Sequence, residues 1–158
     1  MPLEQRLDAA RAFWLDEDAT DDQVEALLLI SEQKKFRPKT LMSLDADRKA
    51  RHLATVPHVT DALAVRVLVL YHLTARRPLM GTFLDALGIA HENGLIQDEH
   101  VKPDPEKIRP AVEELARQFP AADVTLYLNT LLSQDPETWG ALGDVMAEAD
   151  AAAGENGP

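Results

Sequence analysis

Five residues in one short stretch, His91, Glu92, Asp98, Glu99 and His100, carry the nitrogen and oxygen donors that divalent metal ions take. Metal ligands recur at spacings set by a helix or a tight loop. The His-x8-His spacing here matches no standard set, and Leu95 stands where a His-Glu-x-x-His zinc helix needs its second histidine. A metal site in this chain would use His91, Glu92 and His100. The competing reading is a polar surface loop, which collects such residues without any ion.

A second chemistry lies in the cations. Lys34, Lys35 and Arg37, then Arg76 and Arg77, are grouped in an otherwise acidic chain. With Lys39, Arg48, Lys49 and Arg51 near the first group, they would form a basic rim suited to a phosphate, an acidic peptide or the end of a nucleic acid. Against this stands the attraction of helix C-termini for Lys and Arg, which implies no ligand. His72 follows Tyr71 in an apolar segment and has no carboxylate three or four residues away. It therefore reads as a buried, neutral imidazole rather than a base. Asp16, Glu17, Asp18, Asp21 and Asp22 imitate a calcium loop, but that loop needs glycine sixth and glutamate twelfth, where Asp21 and Leu27 stand. Phosphate-cradling glycine motifs and the nucleophile-elbow motif are absent, and nothing in the sequence asks for a cofactor.

These residues must be positioned by helices. Leu3, Leu7, Ala10 and Trp14 form one helical stripe, and Thr20 with Gln23 has the form of a capping box opening a second helix with Val24, Leu27, Leu28 and Ser31 on one face. A helix over 45–56 follows, with Ala46, Ala50 and Leu53 inward. Residues 62–73 are apolar almost all the way round, which predicts a central helix buried on every side. Pro78 opens the next helix; Gly88 suits a left-handed ending with Ile89 folding back on Leu84. His91-Glu92-Asn93-Gly94 reads as a turn, followed by irregular chain to Pro103. Asp104-Pro105 and Asp135-Pro136 each read as an N-cap and first-turn proline, the first ahead of the stripe Ile108, Ala111, Val112, Leu115, Ala116 and Phe119. Val124, Tyr127, Leu128 and Leu131 form another stripe, and Trp139, Leu142, Val145 and Met146 the last. A shift of 40 residues superposes Arg37-Pro38 on Arg77-Pro78 and Leu44-Asp45-Ala46 on Leu84-Asp85-Ala86, a weak sign of a helical-hairpin repeat.

The expected fold is all-α: a compact bundle of about seven or eight helices in antiparallel hairpins, with a short solenoid-like stack as its variant. It forms one domain over 1–150 and a disordered tail over 151–158. Net charge is -11, and residues 102–158 hold 4 basic and 11 acidic side chains. That field disfavours nucleic acid and favours a basic partner. The start of the chain is charged and periodic rather than a secretory leader, and no apolar run approaches the ~20 residues of a membrane span, so the sequence reads as cytoplasmic. The function these features favour is a non-enzymatic protein-interaction module: a scaffold, adaptor or regulatory subunit whose partner is another protein. The alternatives are a helical metal-binding protein or enzyme using the His91–His100 loop, and an anion or nucleic-acid binder using the basic rim. The sequence leaves the oligomeric state open.

Overall fold

The computed structural model describes residues 1–98 and 100–155, and the side chains of those before 150. The chain is all-α, with nine helices and one short hairpin among the described residues. It divides into two compact units, Met1–Ala75 and Arg76–Pro158.

The first unit holds α1 (Leu3–Leu15), α2 (Thr20–Lys34), α3 (Pro38–Met42), α4 (Ala46–Ala54) and α5 (Asp61–Ala75). Helix α1 packs along both α4 and α5, and its buried residues Ala9, Ala10, Phe13 and Trp14 face them across a core with Ile30, Leu41, Ala50, Leu53 and Leu63. Helix α4 follows its sequence pattern. The Asp45 carboxylate accepts from Arg48 N at 2.8 Å, and Ala50 and Leu53 are buried. Helix α3 is an extra single turn, started by Pro38, that delivers Leu41 into the core.

Three expectations for this unit need correction. The Thr20–Gln23 pair is no capping box: Thr20 is already helical, and its hydroxyl donates to Glu17 O at 3.1 Å. The Gln23 amide instead reaches back to the end of α1, donating to Phe13 O at 2.8 Å and Asp16 O at 2.7 Å. Four consecutive apolar residues, 27–30, point in every direction around α2, so the periodicity did not fix its inward face. Ala26 and Ile30 are buried, whereas Val24 and Leu28 are exposed. Helix α5 is helical as its pattern requires but is not enclosed. Only Leu63, Tyr71 and His72 are buried, and residues 64–70 are half-buried. Arg66, in the middle of α5, keeps one side of it polar by pairing with Asp22 at 2.7 Å and with Glu25.

The second unit holds α6 (Arg77–Leu87), β1 (His91–Glu92), β2 (Leu95–Ile96), α7 (Pro105–Gln118), α8 (Ala121–Gln134) and α9 (Gly140–Glu155). Leu79, Phe83, Leu84, Ile108, Leu115 and Leu142 make its core. Phe83 lies edge-on to Tyr127 at 5.7 Å, with Trp139 on another side at 5.9 Å. Gly88 takes the left-handed conformation at the end of α6, and Ile89 N donates to Leu84 O at 2.9 Å, the expected helix ending. Asp104 caps α7 through Glu106 N at 3.0 Å; Pro110 sits on the exposed side, and α7 continues through it.

Three features of this unit differ from the sequence reading. The chain after α6 forms a hairpin, not a bare turn: His91 pairs with Ile96 and Glu92 with Leu95. Asn93 and Gly94 both have positive φ, 51° and 87°, as the two-residue turns that join such strands require. The Asp135 carboxylate accepts from Thr138 N at 3.0 Å to close a turn, and α9 begins only at Gly140, so the cap-and-proline device does not recur there. Helix α9 continues past residue 151 to Glu155; the rest of the expected tail, 156–158, lies outside the described residues.

Candidate functional site

The first unit contains an apolar groove of about 140 Å³ between α1, α4 and α5. It exists because the facing positions are small: Ala9 and Ala10 on α1, Ala54 on α4 and Ala64 on α5 leave a gap that larger side chains would close. Leu53, Val59, Val67 and Leu68 complete the walls, with Met1, just ahead of α1, and Arg6, near its start, at one end. Arg6 has the only ionisable side chain among these lining residues and forms no ion pair among the described residues. Of Arg6 and these alanines the sequence marked only Ala10, as part of the α1 stripe; Arg6, Ala9, Ala54 and Ala64 carried no signal of their own. The one signal for them is the placing of four alanines on helices that meet.

The residues singled out by chemistry are divided between the two units. Lys34, Lys35 and Arg37 belong to the first unit, at the end of α2. The Lys34 ammonium donates to Thr55 Oγ1 at 2.5 Å, so the C-terminus of α2 meets the C-terminus of α4. His52 lies nearby, edge-on to Phe36 at 4.9 Å. Burial lowers the Lys34 ammonium below its ordinary value. Burial first, and then the Lys34 charge, lower the His52 imidazole. No carboxylate pairs with Lys34, Lys35 or Arg37 among the described residues, but two converging helix C-termini supply negative potential of their own. The Gln33 amide on α2 holds the chain between α4 and α5, donating to His58 O at 2.6 Å and accepting from His58 N at 3.2 Å.

Arg76 and Arg77 belong to the second unit and are engaged there. Arg76 faces Asp123 at 3.4 Å, and Arg77 donates to Asn93 O at 2.9 Å, tying the hairpin to the start of α6.

The histidine loop is also built differently from a ligand set. His91 is well covered, its side chain 14% exposed, and both of its ring nitrogens are engaged. Nδ1 accepts from Gly94 N at 3.1 Å, and Nε2 lies 3.0 Å from Asp85 Oδ1. The tautomer with its proton on Nε2 satisfies both bonds. His91 thus clamps the hairpin turn to α6, and Gly81 on α6 leaves room for the ring at 3.4 Å. Glu92 and His100 are exposed, His100 N donates to Asp98 Oδ1 at 2.8 Å, and Glu99 lies outside the described residues. No group of three or more His, Asp or Glu able to hold a metal ion occurs among the described residues.

His72 is buried beside Tyr71, ring centroids 5.6 Å apart. Asp16 spends its carboxylate on two backbone amides, Asp18 N at 2.8 Å and Ala19 N at 3.0 Å, which shapes the α1–α2 loop without an ion. No helix among the described residues is long and apolar enough to cross a membrane. Compared with known proteins, the chain matches no family model, no curated protein and no solved structure.

Proposed function

We infer that the protein is a non-enzymatic interaction module whose first unit receives an apolar side chain of another protein in the groove between α1, α4 and α5. The groove itself carries the reading. Its volume of about 140 Å³ is close to that of engineered apolar cavities, ~150 Å³, that hold a benzene ring, so it accepts one large aliphatic or aromatic side chain. Binding energy in protein interfaces concentrates in such anchors seated in apolar pockets. Arg6 favours an anchor with a carboxylate beside it. Ala64→Leu fills the groove from α5 without adding charge. A partner recovered from native cells with the natural chain and lost with Ala64→Leu supports the reading; a partner recovered equally with both refutes it.

A second reading rests on Lys34, Lys35 and Arg37, which have no carboxylate partner among the described residues. An anion bound there makes affinity for inorganic phosphate fall steeply with added salt. Loss of that affinity in Lys34→Met and Arg37→Met supports it, and a salt-independent response removes it.

A further inference from the structure

Helix α2 has two faces of opposite character. Gln23, Ala26, Leu27 and Ile30 lie on the side that packs into the first unit. One half-turn away, Asp21, Val24, Glu25, Leu28 and Glu32 share the other side and are all exposed. Val24 is 51% exposed and Leu28 57%, and they are one turn apart, so they form a continuous apolar spot rather than two isolated residues.

Charge is ordered along the axis of α2. Glu17 and Asp18, just ahead of the helix, and Asp21 gather at its N-terminal end, and Lys35, Arg37 and Lys39 gather just beyond its C-terminal end, where they outnumber Glu32. None of these seven forms an ion pair among the described residues. The middle is neutralised, because Arg66 already holds Asp22 and Glu25. A face that is acidic at one end, apolar in the middle and basic at the other is complementary to its own antiparallel copy. The first unit carries ten Lys and Arg against twelve Asp and Glu, so in a protein of net charge -11 this unit brings little repulsion to such a meeting.

We propose that the exposed face of α2 is a self-association surface, on which α2 of a second copy packs antiparallel about a two-fold axis between Val24 and Leu28. Each Val24 then meets Leu28 of the second copy, and Glu17 and Asp18 come opposite the basic end that begins at Lys35. The exposed Leu15 and Phe36, just outside opposite ends of α2, are brought to the same end of the seam. A 15-residue helix is about 22 Å long, which gives a small interface and therefore a weak, reversible dimer. This surface is separate from the α1–α4–α5 groove, and neither reading depends on the other.

Sedimentation equilibrium from micromolar to near-millimolar concentration tests the proposal. The natural chain is expected to show a monomer–dimer equilibrium that weakens with salt, and Leu28→Glu to weaken it by about tenfold or more. Leu28 is too exposed for this change to unfold the chain, and the helical circular dichroism signal checks that. A charge-swap pair tests the geometry independently. Glu17→Lys/Asp18→Lys and Lys35→Glu/Arg37→Glu should each associate poorly alone, and associate with one another when mixed. A natural chain that stays monomeric throughout overturns the proposal and leaves the α2 face to a different protein. Self-association unchanged by Leu28→Glu, or charge-swap variants that fail to associate when mixed, also overturns it.

Discussion

His52 and Gly94 are two positions where a single atom's surroundings set a measurable property. Burial and the Lys34 charge hold the folded His52 imidazole below its ordinary value of 6.5. The unfolded chain therefore takes up this proton first. His52 costs nothing at neutral pH and above, and stability falls as pH drops through 6.5 toward the lower folded value. Denaturant unfolding at neutral and mildly acidic pH is expected to show that fall, and His52→Gln to lessen it; an identical pH slope in the variant would assign the effect elsewhere. Gly94 combines a φ of 87° with a close approach to α6, where a Cβ would lie 2.9 Å from Met80 Cβ. Gly94→Ala is expected to cost about 1–3 kcal/mol in denaturant unfolding, since both the backbone conformation and the Met80 contact oppose the methyl group.

Among helices and loops, what could be read from the sequence depended on whether the deciding information was local. Helices α4, α6, α7 and α8 carry a cap, a terminating glycine or a clean stripe within their own residues, and the structure has each of them. The inward face of α2 did not follow from its sequence, because residues 27–30 are apolar in every direction and the choice falls to side chains elsewhere. One of these is Gln23, whose amide serves the carbonyls at the end of α1. Gln23→Ala is expected to lower stability by about 1–2 kcal/mol, with the change visible as faster hydrogen exchange near the α1–α2 loop. The hairpin is too short for alternation to mark its strands, although Asn93-Gly94 is a turn signal of the right kind. That α5 is helical followed from its length, but its partial exposure did not, since coverage depends on what neighbouring helices present. For the same reason the groove was invisible: it is volume missing at four alanines, and it appears only when three helices are set side by side.

Over the full chain, charge and core are both divided. The first unit carries a small negative excess and the second most of the -11, so long-range attraction for cationic groups is set mainly by the second unit. Each unit also has one tryptophan in its core, Trp14 in the first and Trp139 in the second. Trp14→Phe and Trp139→Phe variants thus report on one unit each by fluorescence. Two separate unfolding midpoints are expected from two separate cores, whereas coincident curves would make residues 1–150 behave as one cooperative domain. The chain joining α4 to α5 has no ladder of backbone hydrogen bonds. Its peptide at His58 is gripped, donor and acceptor together, by the side-chain amide of Gln33 on α2. One glutamine there does the work of a neighbouring strand. Through those two bonds α2 holds the chain just ahead of α5, the helix that forms one wall of the groove.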